Sequence, residues 1–366
     1  MITTDYQEIL NKIDLINPVK YTNDRNFIDG SVSMLSPYIS RGVISTRFVY
    51  EKLIKKGFDF FKIEKFIQEL CWRDYWQLIW IEKGLLINDD LKSNQENVSN
   101  YLLPKSISNA STGIFAIDDA IKELYSSGYM HNHLRMYVAS IICNVGQTHW
   151  KNPARWMYYH LLDGDWGSNA LSWQWVCGTN SNKKYYANQG NINKYCYTQQ
   201  KNTFLDIDYS EFEELKVPDS LIENINLKLY TSFPKKQKID IDVNKPTLIY
   251  NFYNLDPLWR KNDNCNRILL LEPNVFEQYP VSNKSIDFVI NISKNINNIQ
   301  HYFGSFKELT DEYKLDNIIF KEHPLNNHYN GQKDSRDWMF YMKDMKSFFN
   351  YWKKCKKDLL KKRFSL

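Results

Sequence analysis

Residues 129–175 read YMHNHLRMYVASIICNVGQTHWKNPARWMYYHLLDGDWGSNALSWQW, and this stretch decides the fold. Leu134, Val138, Ile141, Ile142 and Val145 recur at helical spacing and predict a helix with its core stripe on one face. Asn132, Arg135, Met136 and Ala139 share another face, polar at its start and narrow further along, the shape of a wall against a flat ligand. Two carboxylates, an amide and two tryptophans then fall within thirteen residues: Asp163, Asp165, Asn169, Trp173 and Trp175. Polar groups at that density in a core-forming stretch require partners, because burying them unpaired costs free energy.

Working outward, the chain has 366 residues, room for two or three domains. No run of about 18 apolar residues occurs, and the N-terminus lacks a basic segment followed by an apolar one, so neither a membrane span nor a secretory signal is expected. The cysteines (Cys71, Cys143, Cys177, Cys196, Cys265, Cys355) include no C-x-x-C pair. That predicts free thiols, a cytoplasmic setting and no metal site. A net charge of +5 permits nucleic-acid binding without requiring it.

Residues 4–16 predict a short helix. Ser31, Ser33 and Ser36 cluster before Pro37, ahead of a helix from about Ser45. Small hydroxyls near helix starts suit a phosphate or simply cap the helix. Residues 61–83 predict a strong helix, in which Glu69 and Arg73 are spaced for a surface ion pair and Trp72, Trp76 and Trp80 form a core-like stripe. Residues 87–111 form a polar connection. Lys183, Lys184 and Lys194, set among aromatics, can track a nucleic-acid backbone or belong to a solvated loop.

Beyond a linker at 201–245, the segments 247–252, 267–272, 299–304 and 317–322 predict strands, with a helix over 285–296. That alternation indicates a small α/β unit with a parallel sheet, and no G-x-G-x-x-G suggests a dinucleotide site there. Trp338, Tyr341, Met342, Met345, Phe349 and Trp352 predict a long amphipathic helix. Its tail, KKCKKDLLKKR, is a solvated face or a DNA-phosphate contact.

The pieces M-H-N-x-L-R-M, D-G-D-x-x-x-N and W-Q-W resemble the flavin-binding domain of the photolyase and cryptochrome family. Their spacings agree over more than forty residues, and the resemblance runs from Tyr21 to about Lys194. It implies an all-helical FAD-binding and catalytic domain over 1–200; with the linker and the small, half-Rossmann-like α/β domain over 246–366 read from the strand pattern, the expected fold class is mainly α. In this family an antenna domain precedes the flavin domain. Here the resemblance begins close to residue 1, so a short branch without that domain, and without a second chromophore, is expected.

The resemblance implies FAD as cofactor, held by Tyr21, Ser31, Ser33, Leu35, Ser36, Arg73, Arg135, Asp163, Asp165 and Asn169. Asn169 falls beside the flavin N5, and Asp163 is the expected partner of Arg135. A second signature, E-L-x-W-R-D from residue 69, puts Glu69 and Trp72 in a substrate pocket with Asn132, Met136 and Trp175. Trp72 and Trp175 would sandwich two flipped bases. Trp173 and Trp150 match the first two steps of a flavin-reduction chain whose third tryptophan is here Asn97. Lys183, Lys184 and Lys194 would meet the DNA backbone.

The activity implied is light-driven electron transfer from reduced FAD to cyclobutane pyrimidine dimers in UV-damaged DNA, by a monomer. Asn132, where a histidine marks repair of 6-4 photoproducts, points to cyclobutane dimers. Val32, His133 and Asn188 replace a threonine and two arginines usual in the family, which implies fewer phosphate contacts and a preference for single strands. A blue-light photoreceptor without repair is the alternative, and a flavoprotein that only binds DNA a third reading. Repair requires the aromatic walls to be free of the chain's own side chains.

Overall fold

A computed structural model describes residues 2–362. The chain forms two compact units, each assembled from separated stretches. The first takes Met1–Thr22, Ser33–Glu82 and Tyr230–Leu366; the second takes Asn23–Val32 and Lys83–Leu229.

The first unit is built on a five-stranded parallel sheet in the order Ile299–Phe303, Asn266–Leu271, Thr247–Tyr250, Ile318–Lys321, Gln332–Asp334. Thr247–Tyr250 and Ile268–Leu271 are buried throughout, as befits parallel strands covered on both faces. Ile249 sits between Ile268 and Phe320, and these join Leu270, Ile318 and Tyr302 against Phe306 and Leu309 of the helix Phe306–Tyr313. The four expected strands are present, and the helix expected over 285–296 runs Asn283–Ser293.

The fifth strand, Gln332–Asp334, has no apolar residue to announce it. It is held through Asp334, which accepts from Arg260 Nε (2.7 Å), Arg260 Nη2 (3.1 Å) and Trp259 Nε1 (2.9 Å). The Arg260 guanidinium holds that carboxyl down to about 2. Strand order reverses between Thr247–Tyr250 and Ile318–Lys321. At the strand ends there lies a cavity of about 20 Å³, lined among others by Tyr253, Glu272, His323 and Tyr329, with room for one water.

Helices complete this unit. Tyr6–Asp14 and Thr46–Lys55 are capped by Asp5 and Ser45, whose side chains accept from Glu8 and Phe48 N–H. The long helix Glu64–Lys83 buries Trp76 and Trp80, and Trp80 meets Tyr253, Tyr279 and His323 edge-on at 6.2, 6.1 and 5.1 Å. On the same helix the buried Asp74 accepts from Thr46 Oγ1 (2.9 Å) and from Met339 N–H (2.8 Å). Burial raises its carboxyl to about 6.

The last helix differs from its expected extent. It runs Phe348–Lys362 and begins ten residues later than the aromatic stripe suggested. The start of the stripe is held by individual contacts instead: Trp338 Nε1 donates to Glu322 (2.8 Å) and Met339 N–H to Asp74. Asp344 takes a left-handed φ of 53°. Ser347 starts the helix, its hydroxyl accepting from Asn350 N–H. The buried face is Phe348, Tyr351, Trp352, Cys355 and Leu359, while Phe349 is 70% exposed. Arg363, the end of the basic run, lies outside the described residues.

The second unit holds the helices Phe115–Ser127, Asn132–Ser140, Lys151–His160, Trp166–Cys177 and Gln189–Cys196. Asn132–Ser140 continues as a π turn over Ile141–Val145, closed by Gly146 N–H on Ile141 O (2.7 Å). Every residue of the predicted core stripe is buried. Gly128, at φ 74°, ends the preceding helix and turns the chain into Met130. The polar connection pairs Leu103–Pro104 with Asn224–Ile225 in a small antiparallel ribbon.

Two predictions follow from the first unit. Gly42 has φ +63°, and a Cβ there would lie 2.5 Å from Tyr253 O. Gly42→Ala should therefore cost about 2–4 kcal/mol, read as a lower urea midpoint. Asp74 has a folded pKa raised above its unfolded value, so its contribution to stability is full below about pH 4 and lost as pH rises through about 6. Asp74→Asn should shrink the stability difference between those limits by about 2–3 kcal/mol, measured by urea unfolding at both pH values.

Candidate functional site

In the second unit, Asp163 leaves the helix Lys151–His160 through the L-L-D-G-D loop and is 4% exposed. Its Oδ2 accepts from Arg135 Nη2 at 3.0 Å, and Arg135 Nε donates to Met130 O at 2.8 Å. The guanidinium is thus held at two edges and neutralises a buried carboxylate. Asp165, also buried, caps the helix Trp166–Cys177 by accepting from Ser168 N–H (3.0 Å). One turn into that helix, Asn169 Nδ2 donates to Ala154 O at 2.8 Å. A carbonyl can only face the amino side of an amide, so Asn169 Oδ1 points the other way, as an acceptor.

Asn132 is exposed at the first position of its helix, and Met136 is half-buried one turn on. Trp175 is 39% exposed, tilted 5.9 Å from Tyr185. Trp173 and Trp150 are buried, and Trp150 Nε1 donates to Asp90 at 2.7 Å. Asn97 occupies a left-handed loop position. From Trp150 an aromatic row continues through His149 (5.8 Å) to Tyr101, which stacks on His149 at 5.1 Å and is largely exposed.

In the first unit, Glu69 pairs with Lys65 at 2.8 Å, and Arg73 donates to Ser40 Oγ at 2.6 Å. Trp72 is half-buried and lies face to face with Phe348, ring centroids 3.6 Å apart and planes at 7°. That is closer than the roughly 4.5–7 Å usual for protein aromatic pairs. One face of the Trp72 ring is therefore covered by the chain itself. Phe348 carried no signal in the aromatic stripe; the Ser347 cap just before it was the available cue. Tyr21 meets Phe66 edge-on at 5.0 Å, Leu35 is buried, and Ser33 and Ser36 are half-buried.

The residues expected to meet phosphates are more engaged than their sequence suggested. Ser31, in the second unit, gives both its hydroxyl and its N–H to Asp24 at 2.9 Å. Lys184 pairs with Glu96 at 3.5 Å. Lys183 and Lys194 are exposed. His133 sits between the rings of Tyr137 and Tyr195, its Nδ1 2.9 Å from Asn26 O, and burial lowers its pKa. Asn188 caps the helix Gln189–Cys196.

Residues 66–208 match the family described as the FAD binding domain of DNA photolyase. Among curated proteins, the deoxyribodipyrimidine photo-lyase of Alkalihalophilus pseudofirmus is 27% identical over 177 residues, covering 45% of this chain and 36% of that protein. That of Buchnera aphidicola subsp. Baizongia pistaciae is 31% identical over 175 residues, covering 46% and 37%. The chain spans little more than a third of the length of these relatives. A Synechocystis cryptochrome structure is 24% identical with a TM-score of 0.47, covering 52% of this chain and 43% of that one.

FAD is the cofactor of this domain family, and the donors present fit it: a cation paired to a buried carboxylate, with an oriented amide acceptor on the neighbouring helix. Residues 66–208 are thus similar to the FAD-binding domain of the DNA photolyases.

Proposed function

We propose that this protein repairs cyclobutane pyrimidine dimers in DNA, driven by light, with reduced FAD as electron donor. The observation that supports the reading is the set of Arg135, bridging Met130 O and Asp163, with Asn169, whose amide is oriented by Ala154 O, a donor and acceptor set that suits a flavin ring. When bound and excited, reduced FAD supplies the single electron that opens the cyclobutane ring and then takes it back.

The chain's own residues supply position and electrostatics. Asn169 Oδ1 would accept from the N5 proton and favour the reduced ring. Arg135 and Asp163, with Asp165 nearby in sequence, would hold the ring's polar edge. Tyr21, Ser31, Ser33, Leu35, Ser36 and Arg73 would hold the rest of the dinucleotide, with Ser31 giving up Asp24 to do so. Glu69 and Asn132 would hydrogen-bond the polar edges of the lesion, and Trp72 and Trp175 would stack on its two bases over Met136. Trp173 and Trp150 would carry electrons inward, with Tyr101 as the exposed end in place of a tryptophan at Asn97.

Single-stranded substrate follows from the phosphate-facing positions. His133 is spent on Asn26 and two tyrosine rings, Asn188 on a helix cap and Lys184 on Glu96. Lys183 and Lys194 are left for the backbone. Extruding a dimer from a single strand also avoids breaking base pairs.

One observation favours a second reading, a blue-light photoreceptor without repair: Phe348 stacks on Trp72, the residue read as a wall for the dimer. The discriminating experiment illuminates the protein, with its flavin fully reduced, beside dimer-containing oligothymidine and follows recovery of the bases' ultraviolet absorbance. Recovery is expected, faster on single strands than on matched duplex. No recovery selects the photoreceptor, and equal rates remove the strand preference. Arg135→Ala should remove the cation paired with the buried Asp163, cost about 3–5 kcal/mol of stability and yield protein without the yellow flavin colour, checked by visible absorbance and urea unfolding.

A further inference from the structure

We propose that Cys71 and Cys355 are a redox latch, whose reversible disulfide fixes the helix Phe348–Lys362 and so holds Phe348 on Trp72. The consequence for substrate rests on the reading of Trp72 as a substrate wall; the disulfide itself does not. The two sulfurs approach to 3.6 Å, with both residues fully buried. A disulfide needs about 2.05 Å, so an approach of roughly 1.5 Å completes the bond. The sulfurs lie on the two helices that matter here. Cys71 precedes Trp72 on Glu64–Lys83, and Cys355 is two turns on from Phe348, on the same buried face.

The last helix also has the means to lift. It joins the sheet through 335–347, which contains neither helix nor strand, and its outer face carries the exposed Lys353, Lys354, Lys357 and Lys361. Its attachments include the apolar face, the Lys356–Glu64 pair at 2.8 Å, and Tyr351 Oη on Phe340 O at 2.9 Å. Burial pushes the Cys71 thiol well up, so exchange begins from the lifted conformation. The oxidant is a small disulfide such as oxidised glutathione. One cysteine thiolate attacks it, forming a mixed disulfide and releasing one glutathione thiolate. The second cysteine thiolate then displaces the other. Two protein thiols lose two electrons and two protons, and oxidised glutathione becomes two molecules of reduced glutathione.

The test treats the folded protein with oxidised glutathione, digests it without reduction and weighs the peptides. Binding of dimer-containing oligothymidine is followed in the dark by fluorescence anisotropy. The expected result is a peptide pair joined through Cys71 and Cys355 in the wild type and absent from Cys355→Ser. With it comes at least a tenfold weaker affinity in the oxidised wild type, restored by dithiothreitol, while Cys355→Ser is unaffected. Absence of the joined peptides overturns the latch. Joined peptides with unchanged affinity overturn its hold on Trp72. If the reduced protein binds dimer-containing and undamaged strands alike, the substrate reading fails and the gating falls with it, while peptide mass still decides the disulfide.

Discussion

The second unit is arranged around a buried charge. Asp163 sits where water cannot solvate it, and the Arg135 guanidinium pairs with it there. The pair joins residues 28 apart in sequence, fastening the start of Asn132–Ser140 to the loop before Trp166–Cys177. From that junction the rest of the site is placed in steps: Asp165 caps the helix, and Asn169 follows one turn later with its amide turned by Ala154 O. A charge in this position is costly unless used, and its chemistry suits a ring with polar edges better than an apolar core.

The first unit is organised differently. Its sheet has a buried interior, and the helix Glu64–Lys83 joins that interior to the aromatic surface at Trp72. Trp80 reaches the sheet ends through Tyr253 and His323, while Trp72, two turns back, meets Phe348. Asp74, between them on the same helix, receives Met339 N–H and so anchors the irregular segment leading to the last helix. One helix therefore connects strand packing to the exposure of a single aromatic face.

The helices Glu64–Lys83, Asn132–Ser140 and Asn283–Ser293, four of the five strands and the Arg135–Asp163 pair were legible because each leaves a periodic or spaced signal. Leu134 to Val145 gave a stripe, the strands gave short apolar runs, and the two partners of the ion pair lay in recognisable motifs. What was not legible depended on contacts distant in the chain. Gln332–Asp334 has no strand-like residue and is held by Arg260, 74 positions away. The last helix kept only the later part of its stripe because Trp338 and Met339 found stronger individual partners in Glu322 and Asp74. Glu69 and Arg73, spaced for an ion pair, also reach Lys65 and Ser40, partners that their spacing does not name. The Trp72–Phe348 stack joins residues 276 apart, beyond the reach of any local pattern.

The two borders of the sheet share a property. At one, the three-residue strand Gln332–Asp334 presents charged and amide side chains, with Asp334 clamped by Arg260. At the other, Gln300 of Ile299–Phe303 turns its amide onto the main chain of Asp240, accepting its N–H at 2.7 Å and donating to its carbonyl at 2.6 Å. A side chain thus stands in for a neighbouring strand. A short, charged edge on one side and a side-chain amide clamp on the other are features that discourage a sheet from recruiting further strands.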